Sequence, residues 1–112
     1  MADGRDIIEQ AYETLMQVSG KTDELKGGYS KDEHIELTEI LEGAQKWVGL
    51  CRRKIWLRGK EGTDLAQGCL DAASRLQASL GQPVDAIEAA ADLSARSEAL
   101  ARLISTKSQV LT

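Results

Sequence analysis

Several residue types that build catalytic and metal sites are scarce in this chain. The 112 residues include no Phe, one Pro, one His and two Cys, and the only aromatic side chains are two Trp and two Tyr. One His and two Cys are too few for a multi-histidine metal site or a disulfide scaffold. Sparse β-branched and aromatic residues disfavour a β-sandwich or a β-barrel. The remaining composition is typical of one small helical domain.

The sequence also shows no signal for export or for membrane insertion. The chain starts Met-Ala-Asp-Gly-Arg-Asp, without the basic start and apolar run of a secretory signal. No stretch reaches the roughly 18 apolar residues that a membrane-spanning helix needs. We therefore expect a cytoplasmic protein without membrane contact. Its thiols, Cys51 and Cys69, should be reduced and should act as small buried hydrophobic residues.

The spacing of apolar residues predicts an all-α fold, a small bundle of about four helices with one long central helix, in a single domain over 1–112. The predicted helices cover residues 3–19, 31–58, 63–80 and 84–107. Ser30 and Glu33 fit a capping box at the start of the long helix, and Thr63 fits the N-cap of the next one. The N-terminal helix and glycine-rich loop, 1–29, are expected to pack more loosely than the rest.

The predicted long helix carries apolar residues on two sides. One stripe suffices as a core face, and its members are Leu37, Leu41, Ala44, Val48, Cys51 and Ile55. At 100° per residue, Leu50 and Leu57 lie on another side, and Trp56 lies off the stripe near Arg52. Apolar side chains on both sides of a helix must be shielded from water by two different surfaces. The second side is therefore a candidate for partner binding or self-association. Burial against another helix of the same chain is the open alternative.

Charge is unevenly placed along the chain. Residues 46–60, KWVGLCRRKIWLRGK, hold six of the 14 basic residues and both Trp, whereas all 18 acidic residues lie elsewhere. A basic helix with tryptophan can bind an acidic protein groove, nucleic acid or an anionic membrane surface. The acidic chain would repel phosphates at long range, so a protein partner ranks first. The candidate partner-binding residues are Lys46, Trp47, Leu50, Arg52, Arg53, Trp56, Leu57 and Arg58.

No residue set in the sequence indicates a reaction. Residues 19–22, Ser-Gly-Lys-Thr, resemble the end of a phosphate-binding loop, but Leu15 stands where that motif needs glycine and a helix precedes it. His34 sits in the first turn of a predicted helix, where a solvated side chain is expected. We therefore expect a protein that is not an enzyme and that needs no metal or cofactor.

In size, acidity and helical content, the chain resembles the small bacterial quorum-sensing anti-activators. The features that carry the resemblance are the KWVGLCRRKIWLRGK segment and the long capped helix that begins after Ser30. The resemblance implies a regulator that binds a LuxR-type transcription factor and keeps it off DNA, with the basic helix as the contact surface. A homodimer formed through the second or fourth helix would fit. The alternatives are a helical binder of the secretion-chaperone or immunity type and a nucleic-acid-associated protein.

Overall fold

The computed structural model describes residues 4–25, 28–53 and 60–110, and all regular structure within these ranges is helical. The elements are α1 (Gly4–Lys21), a 3-10 turn (Thr22–Leu25), α2 (Lys31–Arg53), α3 (Lys60–Ala78) and α4 (Pro83–Val110). The predicted all-α bundle of about four helices is thus confirmed.

Each helix packs against two others. α1 packs on α2 and α3, and α4 packs on the same two helices, so α2 and α3 lie diagonally although they are consecutive in the sequence. Gln17 of α1 hydrogen bonds Gln77 of α3 near the C-terminal ends of both helices, so these helices run parallel. Arg52 of α2 pairs with Glu9 near the start of α1, so α1 and α2 run antiparallel.

The core runs along the line where the helices meet. Its members on α1 include Ile8, Leu15 and Val18, all fully buried. The looser packing expected for 1–29 therefore does not describe α1, because its apolar face completes the core shared by α2 and α3. On α4, the residues Ala86, Ala90, Leu93, Ser97 and Leu100 are buried as well. The seam that these residues form on α4 is therefore covered within the chain.

Two helix boundaries differ from the predictions. α1 continues through Gly20 to Lys21, and the Thr22 hydroxyl donates to the Ser19 carbonyl at this end, so a carbonyl near the helix end is satisfied without a glycine stop. α3 begins at Lys60, so Thr63 lies inside its first turn and is not the N-cap. The predicted end of α2 at residue 58 falls in 54–59, outside the described residues.

The start of α2 matches the capping-box prediction. The Ser30 N–H donates to Glu33 Oε1 at 2.9 Å, and the Glu33 N–H donates to Ser30 Oγ at 3.1 Å. His34 is half-buried rather than solvated, because its Nε2 lies 3.1 Å from the Thr22 carbonyl oxygen. The cap and this contact together fix where α2 leaves the turn that follows α1.

We expect Ser30→Ala to lower the free energy of unfolding by about 1 kcal/mol, because the N–H of Glu33 loses its acceptor. Urea unfolding followed by circular dichroism measures the change. Ser74→Ala, an exposed serine within α3, is the control, and its effect should stay within about 0.5 kcal/mol. Equal effects of the two substitutions would show that the cap contributes no stability.

Candidate partner-binding surface on α2

The second half of α2 carries the predicted binding residues that the structure describes. Lys46 is exposed, and its Nζ lies 5.3 Å from the centroid of the Trp47 ring. A cation at this distance is attracted by the negative face of the ring. Trp47 and Leu50 are both half-buried, so each keeps apolar area that a partner could cover.

These two side chains lie beside the core rather than within it. Neither is one of the fully buried core residues, and each keeps part of its surface exposed. A Cβ built on Gly49, which directly precedes Leu50, would meet no atom within 4 Å. The helix therefore offers a cation, an indole and an aliphatic side chain over about one turn.

Arg52 differs from the other predicted binding residues because it already has partners in this chain. Its Nε lies 2.6 and 2.9 Å from the two carboxylate oxygens of Glu9, and its guanidinium carbon lies 4.5 Å from the Tyr12 ring centroid. The hydrogen bond and the charge of Glu9 raise the pKa of Arg52. This arginine therefore joins α2 to α1, and a partner would have to compete for it.

The remaining candidates extend past the described part of α2. Arg53 is the last residue of the helix as described. Trp56, Leu57 and Arg58 fall in 54–59, outside the described residues. The structure thus brings Lys46, Trp47 and Leu50 together on one helix. The part that Trp56, Leu57 and Arg58 play in partner binding stays a prediction.

The two thiols sit in the core, as the sequence predicted. Cys51 on α2 and Cys69 on α3 are both buried and free. Burial raises the pKa of each thiol to about 12, so neither is a reactive thiolate at neutral pH. No described Cα atom of α2 lies within 8 Å of one in α3, which exceeds the separation that a disulfide spans.

The sequence analysis did not anticipate a charged groove of about 150 Å³ between α3 and α4. Asp92 lines this groove, and its carboxylate lies 3.0 Å from Arg96 and 3.6 Å from Arg75. A Cβ on Gly68 would come within 2.8 Å of an Arg96 nitrogen, so glycine leaves room for that arginine. Only the i, i+4 spacing of Asp92 and Arg96 is visible in the sequence. Because these charges neutralise one another, the groove stabilises the α3–α4 contact.

A row of acidic side chains faces outward on the first half of α2. Its members, all exposed or half-exposed, are Asp32, Glu33, Glu36, Glu39 and Glu42. The sequence analysis identified these residues only as complements of the helix dipole. Like charges three or four residues apart repel one another along a helix. Glu36, Glu39 and Glu42 have no ion-pair partner within 4 Å in the described part of the chain.

Searches of the described residues found no group of three or more His, Cys, Asp or Glu side chains placed to hold a metal ion. None of the described helices combines the length and hydropathy required to cross a membrane. Comparison with protein-family models, curated proteins and solved structures found no match to this chain.

Proposed function

We propose that this protein is a non-enzymatic regulator that binds and blocks another protein through the second half of α2. The observation that carries the proposal is the placement of charge, because residues 46–60 hold six basic residues and no acidic one in an acidic chain. Such a segment attracts an acidic surface at long range and orients it toward α2.

The contacts around Trp47 support the same proposal. Tryptophan is enriched among the residues that carry most of the energy of protein interfaces, and a cation beside it favours a polar rim around an apolar centre. Trp47 is half-buried with Lys46 above its ring, so it is held in place before a partner arrives. Leu50, one turn further along, adds an aliphatic contact.

The test is affinity capture from an extract of the cells that make the protein, with the purified chain as bait. We expect one protein to be retained by the wild type and lost with Lys46→Glu, because the substitution places an acid against an acidic surface. Lys21→Glu is the matched control, since Lys21 is exposed at the end of α1 and the charge change is identical.

Each other outcome has a defined meaning. A protein retained equally by wild type and Lys46→Glu would contradict a site on α2. Capture that disappears when bulk DNA is added, with a steep loss of binding as salt rises, would instead identify a nucleic-acid-associated protein. If Lys46→Glu loses both capture and its helical circular dichroism signal, the variant has unfolded. Trp47→His, which keeps an aromatic ring at this position, then tests the surface in its place.

For the class of partner, the resemblance to quorum-sensing anti-activators leads us to propose a LuxR-type transcription factor. Blocking the surface through which such a factor dimerises would prevent it from binding two DNA half-sites. If the captured protein has no DNA-binding activity that the chain suppresses, the secretion-chaperone or immunity-type alternative takes precedence.

A further inference from the structure

The outward face of α2 carries opposite charges at its two ends. Ile35, Glu39, Glu42, Lys46 and Leu50 fall within about 80° of one another around the helix, on the side opposite the buried Leu37. Glu39, Glu42 and Lys46 are exposed and have no ion-pair partner within 4 Å in the described part of the chain. By contrast, Arg52, Arg75 and Arg96 are all paired.

This pattern is complementary to itself. Consider two α2 helices that run antiparallel about a two-fold axis, with position 39 of one opposite position 46 of the other. In this register position 35 lies opposite position 50, because both pairs of numbers have the same average. Glu39 faces Lys46 of a second copy. The two Glu42 side chains meet beside the two-fold axis, and the Lys46 side chains on either side of the axis offset their repulsion. Ile35, which is 45% exposed, faces the half-buried Leu50 of the second copy.

We infer that a second copy of this chain covers this face, with the two α2 helices antiparallel and Glu39 paired with Lys46 in both directions. This inference rests on the proposed function, because it uses the protein-binding surface to which Lys46 belongs. It adds that a second copy of this chain is one partner of that surface. Self-pairing places a cation beside Glu39 and Glu42, which have no ion-pair partner within 4 Å in the described part of the chain. One helix per copy buries less than a standard interface, so the dimer is weak and exchanges with other acidic partners.

Sedimentation velocity tests the inference on the full chain, over roughly 10 µM to 1 mM and at low salt, where weak pairs of this kind form. Wild type should shift from monomer toward dimer across this range. Glu39→Lys and Lys46→Glu should each weaken the dimer about tenfold, because each substitution acts twice across the two-fold axis. The double variant Glu39→Lys/Lys46→Glu should recover wild-type association.

Glu39→Lys separates this pairing from non-specific association. The substitution makes the acidic chain less negative, so general charge repulsion would fall and association would strengthen. Specific pairing predicts the opposite change. Lys21→Glu is the control and should leave the dimer within about twofold of wild type.

A chain that stays monomeric up to 1 mM, or a double variant that does not recover, overturns the inference. The proposed function is judged separately by capture of a different protein. If Glu39→Lys abolishes self-association but the captured partner still depends on Lys46, both stand. If the chain is monomeric while capture depends on Lys46, only the self-pairing fails. If capture is indifferent to Lys46 while the charge swap recovers the dimer, only the proposed function fails.

Discussion

Between pH 9 and pH 11, we expect the free energy of unfolding to fall by about 3 kcal/mol per pH unit. Burial raises the folded-state pKa of Cys51 and of Cys69 to about 12, from an ordinary value of 9.0. Above pH 9 the unfolded chain therefore loses protons that the folded chain keeps. Each thiol then lowers the free energy of unfolding by about 1.4 kcal/mol per pH unit. Below pH 9 both states keep their protons, and the effect vanishes.

Urea unfolding at a series of pH values measures this slope. The double variant Cys51→Ala/Cys69→Ala is the comparison, because it lacks both groups and keeps the rest of the core. It should be less stable than wild type at neutral pH and should lose much less stability between pH 9 and pH 11. The raised pKa of Tyr29, caused first by burial and then by Glu33, contributes equally to both proteins. An unchanged slope in the double variant would show that the thiols are accessible in the folded state.

Leu93→Ala should lower the free energy of unfolding by about 2–5 kcal/mol. Leu93 is fully buried on α4, which packs on both α2 and α3, so truncation leaves a cavity that the helices cannot fill without moving. Val84→Ala on the same helix is the control, since Val84 is 62% exposed and should change stability by less than about 0.5 kcal/mol.

Leu93→Ala also tests whether the apolar seam of α4 is buried within one chain or between two copies. If the apolar seam of α4 is covered within the chain, the stability lost with Leu93→Ala does not depend on protein concentration. A seam buried between copies would instead make the stability lost with Leu93→Ala change with protein concentration. Unfolding Leu93→Ala and wild type at two concentrations, fifty-fold apart, decides between the two.

Local signals in the sequence predicted much of this fold because each rests on neighbouring residues. The capping box at Ser30 and Glu33 depends on four consecutive positions, and the core face of α2 depends on a fixed spacing. The diagonal placement of α2 and α3 has no such local signal, because it depends on which helices meet in space. For the same reason, the Tyr29 hydroxyl that donates to the Leu80 carbonyl at 2.8 Å could not be anticipated.

The structure places the predicted binding residues in different surroundings, for a physical reason. Composition marked residues 46–60 as basic, and the helix pattern placed Leu50 and Lys46 away from the core stripe and Trp47 at its flank. Neither pattern could show that Arg52 bonds Glu9 and stacks on Tyr12, since those residues lie about forty positions earlier. Charge in a sequence does not reveal which cations the same chain already pairs, and that distinction decides which ones a partner can use.

Amide hydrogen exchange of the captured complex decides whether a partner protein binds the second half of α2. Binding should slow exchange in α2 from Lys46 to Arg53, while α3 and the first two turns of α4 exchange as in the free chain. Lys46→Glu should abolish the slowing and Lys21→Glu should keep it. Slowed exchange confined to α3 and α4, with α2 unchanged, would contradict the claim and move the binding site to the other side of the bundle.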